Sequence, residues 1–190
     1  MLHFAEHRTC SGRAATLPNT DYCPMSITSE QYRDALRHFP AGVTIVTLHV
    51  PGMARPHGLT VSAFASVSPE PPLIMVAIDH QHSAYPMMER EGTTFAVNIL
   101  AQDQMELSNR FAWLKDEERF DMGDWGAAVT GAPVLNDALA WLDCTIYERV
   151  VAGTHTIYIG EVQASGVPRA NGRPLIYWNR GYRHLDVRQE

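Results

Sequence analysis

Gly58-Leu-Thr-Val-Ser-Ala-Phe-Ala-Ser-Val-Ser68, with Pro71-Pro-Leu-Ile-Met-Val-Ala-Ile78 close behind it, is the stretch on which the fold turns. Residues 58–68 and 72–79 both read as extended. The first is unusually rich in Ser, Thr and Ala, so it offers small side chains, hydroxyl donors and exposed backbone amides. A flat ring system or a phosphate lying against a sheet edge needs those features. Taken alone, the run is as well explained by hydroxyls that fill an exposed strand face.

Working outward, residues 43–50 form a β-branched strand ended by the turn pair Pro51-Gly52. Further strands are expected at 93–100, 138–150, 155–164 and 174–178, with Ala152-Gly153 between the middle two of the later ones. Helices are fewer. Thr28 and Gln31 make a capping box ahead of a stripe of Tyr32, Ala35, Leu36 and Phe39, which Pro40 and Gly42 end. Residues 83–91 make a short helix with Pro86 near its start, and 102–114 a longer one with apolar Met105, Leu107, Phe111 and Ala112. Residues 123–133 read as loop. Strands and helices do not alternate as βαβ units, which argues against a Rossmann sheet and for a mostly antiparallel, closed or partly closed barrel.

The 190 residues suit one domain plus a tail. Residues 1–25, punctuated by Ser11, Gly12, Pro18, Asn19 and Pro24, read as a flexible tail before a domain at 26–190. With 45% hydrophobic and 19% charged residues the chain can bury a core. A formal charge of -6 and no basic run exclude a nucleic-acid binder, because phosphate binding needs a basic field. No apolar stretch approaches the roughly 20 residues that span a bilayer, so no membrane partner is expected. Cys10, Cys23 and Cys144 show no metal or disulfide spacing, and a cytoplasmic location follows from that usage. His80 and His82 lack an HExxH motif or a matching carboxylate cluster, so no metal site is expected. No P-loop, GxGxxG or GxSxG motif is present.

The run at 58–68 is one of several blocks in a fixed order. They are Phe39-Pro-Ala-Gly-Val-Thr-Ile-Val-Thr47, Thr60-Val-Ser-Ala-Phe-Ala-Ser-Val-Ser68, Phe95-Ala-Val-Asn-Ile-Leu100, and Gln104-x-x-Leu-Ser108 with Phe111-Ala112. Gly131-Ala-Pro-Val-Leu135, Ala138-Leu-Ala-x-Leu-Asp-Cys144, His155-Thr-Ile-Tyr-Ile-Gly-Glu-Val162 and Pro174-Leu-Ile-Tyr177 follow. Together they resemble the flavin reductase-like family, the short-chain reductase components of two-component monooxygenases, over about residues 30 to 185. The resemblance implies an FMN-binding split β-barrel, Greek-key and mostly antiparallel, with a few flanking α-helices.

It also implies a site. Thr60, Val61, Ser62, Ala63, Ser66, Val67 and Ser68 would line the flavin, with Ser83 at its phosphate and His80 or His82 nearby. Asn98 would contact the ring or ribityl chain, and Ser108, Phe111 and Ala112 would border the pocket, with Tyr182 and Arg183 close by. For Ala63, Val67 and Phe111 a pure core role is the alternative. His155 falls where the nicotinamide stacks on the flavin. Relatives carry Gly-Asp-His there, whereas this chain has Gly153-Thr154-His155 and lacks the acidic neighbour.

The implied activity is reduction of FMN or FAD by NADH or NADPH, which supplies reduced flavin to a flavin-dependent monooxygenase. An oxidase, or a reductase of another acceptor, on the same barrel is the rival enzyme reading; a non-catalytic flavin-binding module is the rival from another class. A homodimer is expected, because Ile74, Val76, Ile78, Ile157 and Ile159 exceed what one small barrel needs.

Overall fold

The computed structural model describes residues 27–114 and 116–185, with backbone only at 116 and 117. Helix α1 (Ser29–Leu36) starts with the expected capping box: Gln31 N–H donates to Thr28 Oγ1, and Thr28 N–H to Gln31 Oε1. Strands β1 (Ala41–Gly42), β2 (Thr44–His49), β3 (His57–Val61), β4 (Phe64–Pro69) and β5 (Pro72–Asp79) follow. After α2 (Tyr85–Met88) come β6 (Thr94–Ile99), α3 (Met105–Trp113) and α4 (Asp116–Arg119). A short ribbon of β7 (Trp125–Ala127) and β8 (Pro133–Leu135) leads to the long hairpin β9 (Ala140–Ala152) and β10 (His155–Gly166). The chain ends in β11 (Ile176–Trp178) and β12 (Gly181–Arg183).

Chain connectivity forces the main sheet to curl. Its order is β3-β2-β6-β9-β10-β5-β4, with every pairing antiparallel. Its two edge strands, β3 and β4, are joined by Ser62 and Ala63 alone. Three Cα steps of about 3.8 Å reach at most ~11 Å. A flat sheet of seven strands would hold its edges roughly 29 Å apart at about 4.8 Å per strand. The sheet therefore rolls until the edges approach, while Ala77 N–H donates to Ala63 O at 3.0 Å and carries the β4–β5 pairing back to the corner. The edges meet without zipping, since β3 pairs with β2 and β4 with β5 but not with each other. This is a split barrel with flanking helices, as the family resemblance implied, and mostly antiparallel, as the strand pattern did.

The run at 58–68 is thus two strands broken at Ser62-Ala63 rather than one. Residues 123–133, read as loop, contain β7 and the start of β8.

Strand β2 is buried on both faces, which explains its unbroken Thr44–Leu48 burial. Val46 and Leu48 join Leu59, Val76, Phe95 and Tyr158 inside the barrel, while Val43 and Ile45 join Leu107, Phe111 and Leu135 under α3. Gly58 permits that second layer: a Cβ there would stand 2.6 Å from Phe111 Cε1. Phe111 is in turn held between Phe120 and Trp125 at centroid distances of 5.0 and 5.4 Å.

Two expectations about apolar residues need correction. Tyr32, Leu36 and Phe39 of the α1 stripe are exposed, and α1 buries no residue. Ile74, Val76 and Ile78 line the barrel interior, so they are core and supply no surplus for a dimer face. The segment read as a tail, 1–25, lies outside the described residues.

Candidate active site

The break that closes the barrel also opens it. Ser62 and Ala63 fall between β3 and β4, so their backbone N–H groups stand outside either ladder, and both residues are exposed. Two clefts flank this corner and share Thr60 and Ser62 as a common wall.

The larger, about 340 Å³, lies between the corner, α3 and the β11–β12 hairpin. It gathers Thr60, Ser62, Ser108, Ala112 and Tyr182, five of the residues singled out from sequence. A directed hydrogen-bond chain fixes its floor. Thr60 Oγ1 donates to Ser108 O at 2.6 Å, Ser108 Oγ meets Tyr182 OH at 2.9 Å, and Tyr182 OH donates to Asn109 Oδ1 at 2.9 Å. With the phenol proton committed to Asn109, Ser108 is the donor to Tyr182. Rings of Tyr177 and Tyr182 meet edge to face at 5.6 Å, and Trp113 stands at the mouth, 84% exposed. Arg180 completes the rim.

The smaller cleft, about 220 Å³, brings Thr60, Val61, Ser62 and Ala63 together with His155, His82 and Asp79. His155 starts β10, and its register partner on β5 is Asp79. Thr154 Oγ1 lies 3.0 Å from His155 Nδ1, so the residue at the missing acidic position still fixes the ring. The His80 ring packs on Tyr85 at 4.6 Å and contacts Thr156 Oγ1 at 3.0 Å, which steadies the segment after β5.

The remaining sequence-derived residues are placed elsewhere. Ser66, Val67 and Ser68 line a separate apolar groove of about 530 Å³ with Leu73, Leu142 and Val162. Ser83 is exposed beside α2, its Oγ 3.4 Å from His57 Nε2. Phe111 is fully buried under α3. Asn98 is fully buried too, and its amide is spent internally: Oδ1 accepts from Leu135 N–H at 2.7 Å, and Nδ2 donates to Ile45 O and Thr47 Oγ1 at 3.2 and 3.3 Å. Arg183 lies 5.7 Å over the Trp178 ring and does not line the cleft; Arg180 does.

Asn109, Trp113, Tyr177, Arg180 and Asp79 were not singled out from the sequence. Trp113 alone had a signal, an indole on the polar face of its helix.

A flavin fits this donor set. Unpaired corner amides suit a heteroaromatic edge, the aromatic rim suits a ring face, and a guanidinium suits a phosphate. No group of three or more His, Cys, Asp or Glu among the described residues is arranged to hold a metal. Cys144 is buried and its thiol is pushed up to about 12, by burial first and the Asp143 charge second, so it offers no thiolate. Among the described residues no helix is long and apolar enough to cross a membrane.

Comparison with known proteins identifies the family. The family model described as "Flavin reductase like domain" matches residues 36–186. The actinorhodin polyketide dimerase of Streptomyces coelicolor is 41% identical over 80% of this chain and 84% of its own length. The reductase component of the FADH(2)-dependent resorcinol hydroxylase of a Rhizobium species is 37% identical over 80% of this chain and 85% of its own. Among solved structures, the Streptomyces globisporus NADH:FAD oxidoreductase SgcE6, in complex with NAD and FAD fragments, superposes with a TM-score of 0.74. It is 32% identical and matched over 83% of this chain and 92% of its own. With a barrel split at a hydroxyl-rich corner and a family match over most of its length, the chain belongs to the flavin reductase-like family.

Proposed function

We propose that this chain uses NADH or NADPH to reduce FMN or FAD at the Thr60–Ala63 corner, for delivery to a flavin-dependent monooxygenase. The observation that carries this reading is the shared wall: two clefts meet at Thr60 and Ser62, one rimmed by aromatics and the other by His155. Hydride transfer needs two flat rings held face to face within about 3.5 Å with no side chain between them, and the small Thr60 and Ser62 leave room for that at the seam of the two clefts. Bound flavin supplies the hydride acceptor and the nicotinamide the donor.

The protein's own contribution is placement. Thr60 is locked to the Ser108 carbonyl and the Ser108 hydroxyl to Tyr182, and together they present a fixed surface to the ring. The Ser62 and Ala63 amides would donate to a bound ring's polar edge, where they would favour negative charge. His155, oriented by Thr154, offers an imidazole face to the nicotinamide side. No acid–base pair is required.

The Rhizobium relative's name, a reductase component, supports a monooxygenase as the recipient. A second copy of the chain is the occupant we assign to the exposed arm of β9, where Tyr147 and Val151 are 58% and 71% exposed. Its free buried thiol and its use of NAD(P)H suit the cytoplasm.

Anaerobic mixing of the protein and free flavin with NADH or NADPH tests the reading. Loss of flavin absorbance with turnover is expected. Tight flavin binding without bleaching by either donor would instead make the chain a binding module.

A further inference from the structure

We infer that Arg180 is the phosphate anchor of the larger cleft and selects phosphorylated nucleotides there; this rests on the reading that the cleft holds a flavin or nicotinamide nucleotide. The argument begins with a turn. Trp178 and Gly181 pair across a two-residue hairpin whose central residues, Asn179 and Arg180, have φ of 48° and 62°. Both are left-handed, the type I′ arrangement, for which Asn followed by Gly is the least strained pair. Here the glycine stands one place late, in β12, and arginine occupies a position that L side chains resist.

Local pairing does not account for that choice. Arg180 lies 3.9 Å from Asp34, at 69% side-chain exposure, and Asp34 already pairs with Arg37 at 3.2 Å. Such an exposed pair adds little. What the position does achieve is placement on the rim of the cleft. Among the described residues lining the cleft, Arg180 is the one charged side chain, set beside Tyr177, Tyr182 and Trp113. An aromatic wall with a single forked cation on its rim matches a nucleotide, ring on the aromatics and phosphate on the guanidinium.

The phosphate has two sources, the flavin's own and that of the nicotinamide dinucleotide, and the test separates them. Wild type, Arg180→Gly and Arg180→Lys are titrated with FMN and with riboflavin, which lacks the phosphate, and KM is measured for NADH and NADPH. If the flavin phosphate is bound, Arg180→Gly weakens FMN at least tenfold and leaves riboflavin within twofold, while Arg180→Lys recovers part of the loss. If the dinucleotide is bound, both flavins are unaffected and KM for NADPH rises about tenfold or more, with NADH less affected. In either case Arg180→Gly melts at a higher temperature, because glycine accepts the left-handed turn. Equal loss of FMN and riboflavin, or no change in any ligand, would overturn the inference. A wild-type protein that binds FMN and turns over while Arg180→Gly matches it would overturn this inference alone; a wild type that binds no flavin would overturn both readings.

Discussion

Asn98 and Ser62 sit at adjoining parts of one barrel wall, carry similar polar groups, and do opposite things. Asn98, on β6, is fully buried and its amide bridges β6 to β2 and to the backbone of β8. Thr44 and Thr47 on β2 behave likewise, donating to Val61 O at 2.7 Å and to Pro133 O at 2.5 Å. Ser62 is exposed, lies in no strand, and faces two clefts. A polar side chain that is buried and spent holds the fold together. One that is exposed at a break in the ladder has capacity left for a ligand.

That contrast is breakable, and its largest expected effect falls on Asn98. Asn98→Leu strands the Leu135 N–H and takes a donor from Ile45 O and the Thr47 hydroxyl, and should cost about 3 kcal/mol of stability in a urea titration. The surviving folded fraction should bind flavin as wild type does. Loss of flavin affinity without loss of stability would move Asn98 into the site.

Gly58→Ala comes next. Its Cβ would meet the Phe111 ring at 2.6 Å, and the overpacking should cost about 1–3 kcal/mol. Because Phe111 seats α3, the shift should also loosen Ser108 and Trp113 at the larger cleft. Trp113 fluorescence and a higher flavin Kd would report that together; a stable variant with unchanged Kd would show α3 to be independent of Gly58.

Ser62→Leu should reverse the Asn98 pattern. Flavin affinity should fall at least tenfold, about 1.4 kcal/mol, while stability stays within about 0.5 kcal/mol. An unchanged flavin titration would separate the corner from the flavin.

The smallest effect is expected far from both clefts. Arg169 makes a two-pronged contact with Asp103 at 2.7 and 2.8 Å, and that hydrogen bond first of all holds the Asp103 carboxyl below its ordinary value. A lowered carboxyl stabilises the fold above its unfolded pKa, about 3.9, and loses that contribution as pH falls through the folded value. The pair is exposed, so Arg169→Ala should cost under about 1 kcal/mol at neutral pH. As pH falls through the lowered folded value the variant and wild type should converge, and a gap that widened in acid would contradict the sign.

Much of the fold was legible because period and punctuation agree along the chain. The capping box at Thr28, the strand at Pro72–Asp79 and the turn at Gly153 are all local signals, and all form as read. The break at Ser62-Ala63 was not legible. Nothing in Thr-Val-Ser-Ala-Phe distinguishes a continuous strand from a corner until the sheet order shows that its two ends lie on opposite edges. The α1 stripe misled for a related reason: amphipathic spacing marks an apolar face but not what covers it. For the site, the family resemblance singled out the hydroxyls at 60 and 62, whereas Arg180 and Asp79 enter only through hairpin and register geometry. Asp143, a buried carboxylate held by Val129 N–H, Thr130 N–H and the Thr130 hydroxyl, shows the same limit, because its donors come from a distant loop.

The central claim is that one wall serves two ligands, flavin on the corner and nicotinamide at His155. Anaerobic single-turnover flavin reduction, followed by absorbance at saturating flavin across a range of NAD(P)H concentrations, tests it with wild type and His155→Ala. The account predicts that His155→Ala keeps the wild-type flavin Kd and bleaches flavin about tenfold to a hundredfold more slowly, because ring placement and not proton transfer is lost. Equal bleaching rates at every NAD(P)H concentration would contradict it.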